Sequence, residues 1–285
     1  MRTEPSLDRG ARGGFAPFDA MMRVCAALIG MLVLAGCAAP YVQAPLLPPE
    51  RQMASRMDDT GLVMRDGAVL PYLHWTPGDA EPWAVIVALH GINDSRAAFR
   101  LAGPWWAERG IATYAYDQRG FGDAPRRVEI GQPLLYRWSL VAAAWTFGDV
   151  ALEPPAWAAD QVLPSDHLVE LIRSGRDPDQ TLSTRFDVLY GLVDLMEAAG
   201  QGLGDVDVPT LFLYGARDDL VPDRAVRQAL ERAGPRPGLR TVFYEDGYHL
   251  LNRDLQAVRV FADIEAWLRN EAATLPSGAG PIPLP

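Results

Sequence analysis

Residues 83–94 read Trp-Ala-Val-Ile-Val-Ala-Leu-His-Gly-Ile-Asn-Asp (WAVIVALHGIND). The seven apolar residues from Trp83 to Leu89 show no alternation and are too few for an ordinary helix. They predict a strand buried on both faces of a parallel sheet. Gly91 permits a sharp turn where that strand ends, so the following backbone N–H can point into a cleft. Downstream, Ser95 to Arg109 has helical period, Gly110 stops it, and Ile111 to Tyr116 (IATYAY) reads as the next strand. Strand, helix, strand is the βαβ crossover from which an α/β fold is built. Upstream, Gly61 to Trp75 reads as a hairpin with Asp66-Gly67 as its two-residue turn.

The same texture returns near the C-terminus. Pro209 to Tyr214 is a predicted strand, Asp223 to Ala233 a helix, Leu239 to Tyr244 a strand, and Leu255 to Leu268 an amphipathic helix with Asp254 as its N-cap. The tail beyond Ala273 (TLPSGAGPIPLP) reads as loose. The middle differs: Pro133 to Phe147 is apolar and rich in aromatics, Phe186 to Ala199 is helical, and no buried-strand run stands between Gly120 and Val208. The fold class is therefore α/β, a parallel sheet interrupted by a helical insertion.

Composition narrows the function. The 285 residues carry 26 Lys and Arg against 36 Asp and Glu, a net charge of −10, which argues against nucleic acid as a partner. Two cysteines make neither a disulfide scaffold nor a four-ligand zinc site, and the four histidines lack metal-ligand spacing, so no metal or other cofactor is expected. Arg23 precedes an apolar run of 12 residues, Val24 to Ala35, too short for a bilayer that needs about 20. It ends in Leu34-Ala35-Gly36-Cys37, which resembles the lipobox of bacterial lipoproteins. That resemblance implies removal of residues 1–36, lipidation of Cys37 and attachment to the cell envelope, with Ala38 favouring the outer membrane. Residues 1–20 have no place in such a signal, leaving Met21 or Met22 as alternative starts. Pro40 to Pro49 would form an extended tether.

Three pieces that could carry chemistry stand at the ends of predicted strands, where open α/β sheets keep their sites. They are His90-Gly91-Ile92, Gly215-Ala216-Arg217-Asp218-Asp219, and Gly247-Tyr248-His249, with His249 lying 31 residues after Asp218. A carboxylate orienting an imidazole base is the core of nucleophilic acyl transfer. Taken together, LHGINDSRAAF, YAYDQRGFG, LYGARDDLVP and DGYHLLNRD resemble the α/β-hydrolase superfamily, in its branch of monoacylglycerol lipases, lysophospholipases and serine aminopeptidase-like proteins. The resemblance implies Asp218 as the triad acid (Asp219 less so), His249 as the base, and the Ile92 N–H as an oxyanion donor in a turn shaped by His90 and Gly91. It implies a structural role for Asp117 to Gly122 and a lipid or acyl ester in the cleft. It also divides the chain into a leader and signal over 1–36, a lipidated N-terminus and tether over 37–59, core over 60–130, a helical cap over 131–204, core over 205–272 and a tail over 273–285.

The family's Gly-x-Ser-x-Gly nucleophile elbow is not in this sequence. After Cys37 there are seven serines, Ser55, Ser95, Ser139, Ser165, Ser174, Ser183 and Ser277, and none has glycine at both −2 and +2. The simplest account is a deletion near Val128–Gly131 that removed the elbow unit and both central strands, leaving their neighbours to face each other across a gap or to close up as a new pair. Three readings stay open at this point: an ester hydrolase using one of the remaining serines, a non-catalytic acyl-chain-binding surface lipoprotein, and a non-functional deletion product.

Overall fold

The computed structural model describes residues 47–125, 151–152, 162–181 and 183–284. Cys37 with its signal, the apolar stretch 133–147 and Ser139 lie outside them.

Three short antiparallel strands open the fold, β1 (Arg56–Asp58), β2 (Gly61–Val63) and β3 (Val69–Leu70). The turn joining β2 to β3 is longer than the two residues expected. Gly67 N–H donates to the Met64 carbonyl (2.9 Å), and Gly67 sits at φ 81, so Met64 to Ala68 form a turn with a left-handed closing glycine. Next come β4 (Tyr72–Trp75), β5 (Ala84–Leu89), a 3₁₀ turn (Arg96–Phe99), helix α1 (Ala102–Ala107) and β6 (Ile111–Tyr116). The expected single helix over 95–109 is thus two pieces, the first capped by the Ser95 side chain accepting from Ala97 N–H. β7 (Ala151–Leu152) pairs antiparallel with β8 (Thr184–Arg185), with α2 (Leu168–Arg176) between them and α3 (Phe186–Gly202) after them. The C-terminal part runs β9 (Thr210–Gly215), α4 (Asp223–Ala233), β10 (Leu239–Tyr244) and α5 (Ala257–Arg269).

The larger sheet comes in two halves. One has the order β4-β6-β5, with β5 parallel and β4 antiparallel to β6. The other is the parallel pair β9–β10. Among the described residues no strand joins β5 to β9. The halves are held together by side chains. Ala102, Trp106, Ile111, Ala257 and Phe261 form one buried cluster spanning α1, β6 and α5. The Trp106 indole N–H donates to the Phe261 carbonyl (3.2 Å), and the two rings meet edge-on at 5.7 Å.

β5 corrects the opening expectation. Its Ala84 and Ile86 pack on the α1–α5 cluster, but Val85, Val87 and Leu89 are 58%, 63% and 56% exposed. A strand is buried on both faces only when layers cover both, and no described element covers this one. Val87→Lys is therefore expected to shift stability by no more than about 0.5 kcal/mol in urea unfolding. A loss of several kcal/mol would mean that this face is covered.

Two further expectations fail at the C-terminus. The N-cap of α5 is Gln256 with no side-chain bond, while Asp254 turns back to accept Tyr248 N–H (2.9 Å). The tail is packed: Leu275 and Ile282 are buried, Phe243 N–H donates to the Gly280 carbonyl (2.8 Å), and Ser277 binds the buried Asp263. Its apolar residues find a face of β10 that the tail's composition alone does not reveal.

Candidate active site

β9 and β10 do more than carry the acid and the base; their ends are joined. Ala216 N–H donates to the Tyr244 carbonyl and Arg217 N–H to the Gly247 carbonyl, both at 2.9 Å, continuing the ladder into the loops. A Cβ on Gly215 would come within 2.4 Å of the Gly247 oxygen, so only glycine lets the two loops approach this closely. The approach brings Asp218 to His249, with Asp218 Oδ2 2.9 Å from His249 Nδ1. The other carboxylate oxygen accepts Leu220 and Val221 N–H, each at 2.8 Å. Asp218, and not Asp219, is the partner of the imidazole.

Because an ionised carboxylate only accepts, His249 carries its proton on Nδ1 and leaves Nε2 free to act as a base. The imidazole is 34% exposed and open to water, whereas Asp218 is 7% exposed. Burial pushes the Asp218 carboxyl up, but the bond from His249 and the two amide bonds outweigh it and hold it below the ordinary carboxylate value. A folded-state pKa below the unfolded one adds stability above the unfolded pKa, and that contribution is lost as pH falls through the folded value. Asp218→Asn is expected to flatten the loss of unfolding free energy between about pH 5 and about pH 2. An acid limb as steep in the variant as in the parent would contradict this account.

The turn after β5 lies as its residues suggest. Asp94 N–H donates to the Gly91 carbonyl (3.3 Å), and Asn93 at φ 63 occupies the left-handed position that a type II turn needs. Among the described residues the Ile92 N–H donates to nothing. His90 is buried and structural: its Nε2 accepts Gln118 N–H (3.0 Å) and its Nδ1 lies 2.7 Å from the Gly91 carbonyl, tying the end of β5 to the loop after β6. In that loop Asp117 is fully buried, accepts Arg96 and Asp123 N–H, and pairs with the Arg96 guanidinium. Asp117, Asp123 and Asp179 place carboxylate oxygens within 4.8 Å of one another, but Arg96 already bridges all three.

Four of the serines are otherwise engaged. Ser95 caps its turn, Ser165 is buried and accepts His167 N–H, Ser174 accepts from Arg253, and Ser277 is bound to Asp263. Among the described residues no serine hydroxyl is hydrogen-bonded to His249.

The family model of serine aminopeptidase S33 matches residues 80–133 and 128–256, together more than half of the chain. The chain belongs to that family. Two solved structures place this S33 family protein in the α/β-hydrolase fold. A monoacylglycerol lipase from Paleococcus ferrophilus is 14% identical, covering 70% of this chain and 98% of that one with a TM-score of 0.50. A soluble variant of monoglyceride lipase from Saccharomyces cerevisiae, in complex with a substrate analogue, is 17% identical, covering 83% and 100% with a TM-score of 0.55. No curated protein matches the S33 family chain. Motif reading pointed to Asp218, His249 and the turn after β5, and the structure brings the first two together. The same reading missed Arg253, whose partner Asp94 stands 159 residues earlier; a buried arginine four residues after the base leaves no local pattern.

Proposed function

We propose that this protein descends from ester hydrolases of lipid acyl esters, anchored in the bacterial envelope through lipidated Cys37, and that it has lost covalent catalysis. The observation that carries the reading is a complete Asp218–His249 pair with no serine on the imidazole among the described residues, in a chain with no Gly-x-Ser-x-Gly. The two pieces of the family match meet at 128–133, where the elbow unit would stand between the Asp117–Gly122 loop and the cap. That junction, and the absence of a described strand between β5 and β9, support a deletion. What remains is a base able to activate water beside an oxyanion turn with one donor. Such a site can bind an acyl ester and turn it over slowly.

The test is fluorophosphonate labelling of the full chain, read by mass spectrometry alongside a melting curve. No labelled serine on a cooperatively melting protein is expected. A single labelled serine would overturn the proposal and restore the ester hydrolase with a relocated nucleophile. A protein with no cooperative transition would be the non-functional deletion product instead.

A further inference from the structure

The turn that carries the Ile92 N–H and the loop that carries His249 belong to half-sheets not hydrogen-bonded to each other. In an uninterrupted sheet, strand pairing would set one loop against the other. Here side chains reach across, and Arg253 makes the charged link. Arg253, four residues after His249, is 2% exposed and pairs with the Asp94 carboxylate, two residues after Ile92. Asp94 is fixed in turn, its other oxygen accepting Ser95 N–H and the Gln180 side-chain amide, both at 2.9 Å. Arg253 also donates to Ser174 Oγ (3.1 Å), and its carbonyl lies 3.1 Å from His167 Nδ1. The neighbouring Asn252 donates to the Ala98 carbonyl (3.1 Å). The Arg253 Nε–H is buried with no partner. An orphaned buried donor is a cost in stability, so a residue serving packing alone would be better replaced by an apolar one.

We infer that Arg253 is a positioning residue: through Asp94 it holds the oxyanion turn in register with the His249 loop, the task that the central strands would otherwise perform. The inference concerns the site described under the proposed function, but its test needs neither substrate nor turnover. Amide hydrogen exchange of the full chain would be compared for the parent, Arg253→Met and Arg253→Lys. In Arg253→Met the Ser95 and Tyr248 amides, and the Thr181 amide bonded to the Asn93 carbonyl, are expected to exchange at least tenfold faster. The β5–β6 and β9–β10 ladder amides should stay within about twofold. Arg253→Lys, which keeps a cation for Asp94, should recover most of the protection. Asp94→Asn, which keeps the shape and removes the charge, should repeat the Arg253→Met pattern and serves if that variant fails to fold. Unchanged protection at the three loop amides, equal loss in the ladders, or a lysine variant no better than methionine would each overturn the inference. A labelled serine would overturn the proposed function and leave this result standing.

Discussion

Hydrolysis of a monoacylglycerol by this protein is expected to run about 10⁶-fold below the turnover of an enzyme with an intact serine triad. The magnitude follows from what is missing. On the proposed reading no acyl-enzyme forms, and loss of the elbow would also remove the second oxyanion N–H, the one that follows the nucleophile. His249 can still take a proton from water, since Nε2 is the unprotonated nitrogen and Asp218 holds the ring. His249→Ala should therefore abolish the remaining rate. Steady-state hydrolysis of a short-chain monoacylglycerol, compared between parent and His249→Ala, measures both. A rate within a hundredfold of a triad enzyme would mean that a nucleophile exists.

The second large effect is structural. Trp106→Ala is expected to cost about 3–5 kcal/mol, as truncation of a buried aromatic does. Against a typical net stability of about 5–15 kcal/mol, that removes a large fraction of the total. Trp106 is 3% exposed and bridges the two halves of the molecule, packing α1 on Phe261 of α5 and donating to that residue's carbonyl. With no described strand between β5 and β9, such contacts in the helical layer hold the halves together. Urea unfolding should show a lower midpoint and, if the halves separate, two transitions in place of one. A loss below about 1 kcal/mol would show that the α1–α5 contact is not what joins them.

The division into two sheets also explains why the Asp218–His249 pair needs nothing from the other one. Asp218 and His249 both belong to the β9–β10 half, whose strand ends zip together through Gly215 and Gly247. The turn carrying Ile92 belongs to the other sheet, and among the described residues Arg253, Asn252 and the α1–α5 contact link it to the His249 loop.

Local order was legible in the residues. Ile111–Tyr116, Leu239–Tyr244 and Asp223–Ala233 form the elements their patterns predict, end to end, because periodicity and turn chemistry act over a few neighbouring residues. The Asp218–His249 pair was legible too, since each stands at a strand end in a recognisable loop. Exposure of Val85, Val87 and Leu89, the packed tail, the turning of Asp254 away from α5 and the Arg253–Asp94 bridge were decided only by tertiary structure. Hydropathy states that a side chain would gain by burial; whether a layer is there to bury it depends on residues far away in the chain.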